Sequence, residues 1–254
     1  MCLLVWNWQP ASATPLVLLS NRDEFYGRPA LPVHWWDADG AGPAVLAGKD
    51  LQAGGTWLGV SRSGRLAALT NYRTPEPVRT NTPSRGELVA DFLQGNMGAA
   101  EYLHTLRQTA QDYNPFNLLV YDGQQLMGLE SRGSKVVAMM PGMGGVSNAD
   151  FQTPWPKLTR LKKHFQNTLQ RGDAAPKHHL PLLHDDTLAP DSSLPNTGVS
   201  LELERTLSAI FIATPDYGTR ACSSVQVRRN HVTFTEESFG PAGLLAQTQH
   251  QFAL

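Results

Sequence analysis

The order of elements along the 254-residue chain predicts an α+β protein in which helices cover antiparallel sheets. Three observations carry that expectation. Apolar runs at 2–8 (CLLVWNW) and 16–22 (LVLLSNR) flank the turn-forming stretch QPASATP, so the chain opens as paired strands. TWLGVS and RLAALTN enclose the short turn RSG and form a second hairpin. Strands, helices, strands, helices and strands then succeed one another along the chain.

Residues 2–8 are apolar almost throughout, as in a strand covered on both faces. FYGRPALPVHWWDADGAG, rich in aromatics and prolines, reads as a loop. After the hairpin, Ser84 and Glu87 match a capping box before LVADFL, and AAEYLHTLRQTAQDY carries a second helix. FNLLVYD, QQLMGLESR and KVVAMM form a three-strand meander with Asp122-Gly123 as a tight turn. Pro156 opens an amphipathic helix with Leu158, Leu161, Phe165 and Leu169 on one stripe, and Gly172 closes it. Residues 172–199 are loop-rich, with room for a short helix, and SLELERTLSAIF reads as the last helix. The chain ends with a hairpin, GTRACSSVQV and HVTFTEESF, around Arg229-Asn230. Without repeats or low-complexity linkers, one domain over 1–254 is expected.

A formal net charge of −1 gives no electrostatic reason to expect nucleic acid or an anionic membrane as partner. No apolar stretch approaches the ~20 residues of a membrane span. The N-terminus lacks a basic region and a small-residue cleavage site, so the cytoplasm is expected. There, Cys2 and Cys222 read as free thiols. Zinc-type Cys and His spacings, GxGxxG and a Walker lysine loop are all missing, which removes support for a nucleotide role.

The chemistry-bearing stretch is Asn21-Arg22-Asp23-Glu24, a polar row that ends an apolar strand. Pairing Trp8 with Leu16 makes opposed residue numbers sum to 24 and sets Cys2 opposite Arg22. If Met1 is removed, the chain starts with an α-amine and a thiol on one carbon. With pKa values of ~7.7–8.0 and ~8.5, the amine can act as base for its own side chain. A neighbouring guanidinium favours the thiolate, and a carboxylate such as Asp23 can hold the amine. The alternative is that Cys2 is a small buried hydrophobe and the tetrad a solvated strand end.

Six stretches, in this order from Met1 to about residue 240, resemble the NRDE family of transport and Golgi organisation 2-like proteins, named for the tetrad at 21–24. They are MCLLVWNW, LLSNRDEFYGRP, GGTWLGVSRSGRLAALTNYR, GVSNADFQTPWPKL, LPNTGVSLELERTLSAIFI and YGTRACSSVQV. The family is similar to the N-terminal-nucleophile (Ntn) hydrolases, which implies a four-layer αββα sandwich of antiparallel sheets. It also implies catalytic roles for Cys2, Arg22, Asp23, Asn71 and Arg220. Asn71 would donate to an oxyanion, and Arg220 would stabilise the thiolate or bind a substrate carboxylate. Arg22 and Asp23 are adjacent here, unlike in that branch, and adjacent strand residues point to opposite faces.

The reaction so implied is hydrolysis of a non-peptide amide or an acyl thioester, with no cofactor required. The family is also linked to haem trafficking and to lipid or acyl-CoA homeostasis. The alternative that the resemblance implies is a non-catalytic haem-binding and haem-trafficking protein, or a binder of acyl-CoA or lipid, using the same pocket. The expected partner is a small hydrophobic or acyl ligand, with haem among the candidates.

Asn21, Glu24, Trp35, Trp36 and Trp57 are the candidate substrate-binding residues, and His34 is the candidate ligand for a carried haem iron. Cys222 reads as structural burial on the same strand face as Arg220. The run KHHLPLLHDD has the residue types of a metal site but fits no strong ligand spacing. The glycines of QAGGTW suit either a turn or a close approach of backbone to a ligand.

Overall fold

Side chains alternate between the two faces of a strand, and that alternation along the first two strands assembles the layers. The computed structural model describes residues 2–36, 44–173 and 175–254, residue 2 by its backbone alone. The strands of the first half are β1 (Cys2–Trp8), β2 (Leu16–Phe25), β3 (Ala30–Trp36), β4 (Val45–Asp50), β5 (Leu58–Ser61) and β6 (Leu66–Asn71). Helices α1 (Arg85–Gln94) and α2 (Ala99–Leu106) come next. They precede β7 (Phe116–Tyr121), β8 (Leu126–Glu130), β9 (Lys135–Ala138) and β10 (Gly142–Val146). Then come α3 (Pro156–Gln170), α4 (Pro176–His179) and α5 (Leu201–Thr206), and finally β11 (Tyr217–Val227), β12 (His231–Gly240) and β13 (Gly243–Ala253).

Among the described residues the strands form two antiparallel sheets, in the orders β10-β1-β2-β11-β12-β13 and β3-β4-β5-β6-β7-β8-β9. Leu4, Trp6, Leu16 and Leu18 join Leu46, Leu58, Val60 and Leu66 of the second sheet in a core between the sheets. Leu3, Val5, Val17 and Leu19 point the other way, against Leu158, Leu161 and Phe165 of α3. On the outer face of the second sheet, Val45, Ala47 and Ala67 meet Leu88, Phe92 and Leu93 of α1 and Leu103 of α2. The result is the four-layer αββα sandwich. No helix among the described residues is long and apolar enough to cross a membrane.

Several elements depart from expectation. The aromatic and proline-rich stretch expected to be a loop contains β3. It is an edge strand whose register shifts between Leu31 and His34, where Pro32 is tolerated. Positions 37–43 of that expected loop lie outside the described residues. The glycine-rich β10 carried no strand signal. A Cβ at Gly144 would stand 2.3 Å from the Trp6 ring, so glycine is what lets the indole lie across the strand. The expected terminal hairpin gains a third strand, β13, which is mostly exposed and polar.

Helix α2 stops at Leu106. Helix α5 stops at Thr206 because the backbone beyond is bonded elsewhere: the Ile210 carbonyl accepts from the Asn21 amide, and the Phe211 N–H donates to the Asp185 carbonyl. Ser84 is the N-cap of α1, but its carbonyl rather than its hydroxyl receives the Glu87 N–H. The two glycines of QAGGTW divide the readings: Gly54 takes a positive φ of 79° in the turn, whereas a Cβ on Gly55 would stand 2.3 Å from the Gly86 carbonyl carbon, where Thr56 N–H donates to Gly86 O at 3.1 Å.

Candidate active site

The β1/β2 ladder runs from Trp8↔Leu16 to Cys2↔Arg22, so each pair sums to 24 as expected. On its other edge β2 pairs with β11, Asp23 opposite Thr219 and Arg22 opposite Ala221, with Arg220 as the extra residue of a β-bulge. The polar row thus lies between position 2 and a bulge. Met1 and the side chain of Cys2 lie outside what the structure describes.

Alternation splits the row. Arg22 turns toward the space between the sheets. Its Nη2 donates to Asp50 Oδ2 at 3.0 Å, and its guanidinium stacks 4.3 Å from the centre of the Trp57 ring. Arg28 Nε donates to the same Asp50 oxygen at 2.6 Å, and Asp50 Oδ1 accepts the N–H groups of Gln52 and Ala53. Burial works against a charge on Asp50. The hydrogen bonds from Arg28 and Ala53 and the charges of Arg28 and Arg22 outweigh it and hold the carboxyl below its usual range. Glu24 stands 3.9 Å from Arg28.

Asn21 and Asp23 turn to the helix layer. The Asn21 amide donates to the carbonyls of Leu183 (3.0 Å) and Ile210 (2.8 Å), a structural tether. Asp23 Oδ1 accepts from Thr219 Oγ1 at 2.8 Å, and Oδ2 lies 3.9 Å from Lys157 Nζ on the first turn of α3. Burial pushes the Asp23 carboxyl up, against the pull of the Lys157 ammonium.

A cavity of about 430 Å³ opens over this region, lined by Arg22, Asp23, Glu24, Asp50, Trp57 and Asn71 among others. Asn71 is the last residue of β6, brought there by the opposite sheet. Register and cavity therefore bring together Arg22, Asp23, Glu24, Trp57, Asn71 and the backbone position of Cys2.

The other candidates fall elsewhere. Arg220 does not line the cavity; its guanidinium is held by the carbonyls of Phe25, Tyr26, Arg28 and Phe239. The bulge interrupts alternation there, so the simple count that put Arg220 and Cys222 on one face does not apply. Cys222 is fully buried, and burial pushes its thiol well up. Trp35 meets Phe252 edge-on at 5.0 Å between the sheets, whereas Trp36 donates to the Ala47 carbonyl on the outer face. His34 Nδ1 lies 2.8 Å from the Pro32 carbonyl. None of these three lines the cavity, because edge strand β3 carries them away from the end of β2. Among the described lining residues no histidine is placed to ligate a haem iron.

The 178–186 run disperses into separate contacts. His179 is buried beside Phe165 and pushed down to about 4 by burial, His184 meets Glu237 at 2.6 Å, and Asp185 pairs with Arg160. Among the described residues no three metal-ligating side chains gather.

Sequence reading missed Asp50, Arg28, Thr219 and Lys157. Asp50 carried the same signature as the tetrad, an ionisable residue closing the apolar strand VLAGKD. The arrangement sets a charge-compensated guanidinium and a side-chain amide across a cavity from a cysteine position. That suits thiolate stabilisation and oxyanion binding.

Comparison with known proteins places this geometry. The family described as Transport and Golgi organisation 2 matches residues 1–241. The Transport and Golgi organization protein 2 homolog of Bos taurus is 37% identical over 262 residues, covering 94% of this chain and 93% of that protein. Its Homo sapiens counterpart is 35% identical over 261 residues, with the same coverage. Among solved structures, the Caenorhabditis elegans N-acylethanolamine-hydrolyzing acid amidase ortholog superposes with a TM-score of 0.51 at 10% identity, covering 72% of this chain and 85% of that one. That likeness is one of fold, and the fold is Ntn-hydrolase-like.

Proposed function

From the premise that the chain belongs to the Transport and Golgi organisation 2 family, we propose that it is a thiol hydrolase of the N-terminal-nucleophile type, cleaving a non-peptide amide or an acyl thioester through Cys2. The observation that carries this reading is the pairing of Cys2 with Arg22 at the edge of a cavity that Asn71 also lines. We place the protein in the cytoplasm as one domain over 1–254.

Removal of Met1 exposes the α-amine of Cys2. The amine takes the thiol proton, and Arg22 favours the thiolate. Sulfur attacks the substrate carbonyl carbon, and the oxygen takes the charge and accepts a hydrogen bond from the Asn71 amide. The carbon–nitrogen or carbon–sulfur bond then breaks, and the ammonium proton passes to the leaving amine or thiolate. Water attacks the acyl-cysteine, giving up a proton to the amine. The free acid leaves and the thiol is restored. Asp23 orients the amine. Arg220 acts at a distance, tethering the chain after β2 where it leaves the cavity.

The test begins with intact mass spectrometry of protein expressed with its native start, where loss of Met1 is expected. Acyl thioesters and N-acyl amides are then assayed. Turnover and a trapped acyl adduct on Cys2 are expected, both abolished by Cys2→Ala. Asn71→Ala is expected to lower kcat ~10²–10³-fold. Retained Met1, or turnover that survives Cys2→Ala, rejects the mechanism. Stoichiometric perturbation of the haem Soret band, together with full biological activity of Cys2→Ala, would instead establish a non-catalytic carrier of haem or acyl lipid in the same cavity.

A further inference from the structure

Each sheet ends in two edges, and an edge offers its outward N–H and C=O groups to any strand that fits. Among the described residues the edge strands are β10 and β13 of one sheet and β3 and β9 of the other. Three of them are guarded. β3 carries Pro32 and a register shift between Leu31 and His34. β9 is four residues long and opens with Lys135. β10 is five residues long and rich in glycine. Proline, bulges, lysine and short length are the usual ways of blunting an edge.

None of these devices interrupts β13 between Ala246 and Ala253. The strand runs for 11 residues, GLLAQTQHQFA, without proline, lysine, arginine, aspartate or glutamate. From Ala246 to Ala253 its ladder with β12 is unbroken, and the register shift is confined to the end where Phe239 meets Leu244. Phe252 points between the sheets, where its ring meets Trp35 at 5.0 Å. Alternation then sets Gln247, Gln249 and Gln251 on the outer face, and all three are exposed. The helix layer that covers β1 and β2 on that side leaves them open.

The composition of the strand selects its partner. A strand that pairs with itself about a two-fold axis meets its own sequence reversed, so charges of one sign crowd across the axis and repel. β13 brings no lysine, arginine or carboxylate to that encounter. Opposed residues share a face, so the outer glutamines meet one another. About an axis at Gln249, Gln247 faces Gln251; about an axis at Thr248, it faces Gln249. An amide side chain both donates and accepts, so one glutamine answers another without a second residue type. A net charge of −1 leaves two copies with little mutual repulsion.

We propose that β13 pairs antiparallel with β13 of a second copy of this chain, joining two sheets edge to edge in a two-fold dimer. The contact uses the same edge in both copies, so assembly stops at two. β11 and β12 separate β13 from β2, so the pairing stands apart from the hydrolase reading.

The mass in solution of the full chain is measured by sedimentation between about 1 and 100 μM. A shift to twice the mass of one chain is expected, with a Kd below about 10 μM. Gln247→Lys, Gln249→Lys and Gln251→Lys together set like charges across the axis in either register. This triple variant is expected to weaken the dimer at least about tenfold. Mixing it with the corresponding triple glutamate variant is expected to restore twice the mass. Hydrogen exchange on the unaltered chain keeps the test valid if the variants fail to fold: slowing with concentration is expected, centred on residues 243–253. A chain that stays monomeric at about 100 μM overturns the second copy as occupant and leaves the edge to a foreign strand. A dimer untouched by the lysines, protection centred on another element, or growth into filaments overturns the pairing as well.

Discussion

Arg22 and Asp23 are joined by one peptide bond, and both are withdrawn from solvent, at 5% and 1% exposure. One step of strand alternation sends them into different chemistry. Arg22 enters the space between the sheets, where Asp50 is held ionised and a cavity opens to solvent. Asp23 enters the helix layer, where burial pushes its carboxyl up and Lys157, itself 1% exposed, supplies the countering charge. The lesson is a division of labour along one strand: Arg22 and Glu24 turn to the cavity, and Asn21 and Asp23 tie the sheet to the helices, Asp23 reaching the cavity lining as well. Variants on each face test that division.

The largest effect is expected from Lys157→Met. Removing the ammonium leaves Asp23 buried without that opposing charge, a class of change that costs about 3–5 kcal/mol. Urea unfolding should show the loss, and Asp23→Asn in the same chain should recover much of it. A single variant with unchanged stability would break the comparison, since the helix-side face would then carry no structural load.

The next effect separates the faces by pH. Glu236, on β12, is fully buried between the sheets. Its Oε1 accepts the Val33 N–H at 2.8 Å, and Ser223 donates to Oε2. Burial raises it to about 7, against those hydrogen bonds and the charge of Arg22. A carboxyl raised in the folded state contributes fully below its unfolded pKa, near 4.5, and that contribution is lost as pH climbs through 7. The loss is on the order of 3 kcal/mol. Glu236→Gln should flatten the fall in stability between pH 5 and 8, read from urea midpoints, and should match or exceed wild type at pH 8. An unchanged slope would mean that the carboxylate is ionised and compensated in the fold.

These contacts were unequally legible in the sequence. The β1/β2 register followed from two apolar runs and a turn, because local connection fixes it, and with it the meeting of Cys2 and Arg22. Asn71 was placed by resemblance. Asp50 and Lys157 were not found, since each reaches the row from another sheet or layer and no local period encodes that distance. Trp35 and Trp36 looked like one aromatic cluster, yet adjacent strand positions put them on opposite faces, so only Trp57 reached the cavity. The Arg220 bulge and the strand β10 depend on tertiary fit, Trp6 lying over Gly144, and propensity reads neither.

Asp50→Asn sharpens the cavity side. It replaces a carboxylate that takes charge-assisted bonds from Arg22 and Arg28, worth about 1.5–3 kcal/mol. Because the folded-state value is depressed, the wild-type advantage should be present at neutral pH and vanish as pH falls through it. With Asp50 neutral, Arg22 and Arg28 lose the counter-charge they share, and their pull on position 2 grows. The pH midpoint for alkylation of Cys2 should move down relative to wild type. A midpoint that moves up, or a loss of stability with no change in the thiol, would place Asp50 with the structural residues.

The smallest effect is expected where the ion-pair geometry is best. Arg205 donates to both oxygens of Asp191, at 2.6 and 2.5 Å, far closer than the 3.9 Å between Lys157 and Asp23. Both side chains are about half exposed, so water competes for each donor and acceptor, and holding two mobile side chains together offsets the attraction. The Arg205 carbonyl receives the Ser208 hydroxyl whatever the side chain, so the end of α5 keeps its bond in a variant. Arg205→Ala should therefore leave the Tm unchanged at physiological salt. A clear drop would mean that distance, rather than burial, ranks the ion pairs of this fold, and the contrast drawn between the two faces of β2 would lose its basis.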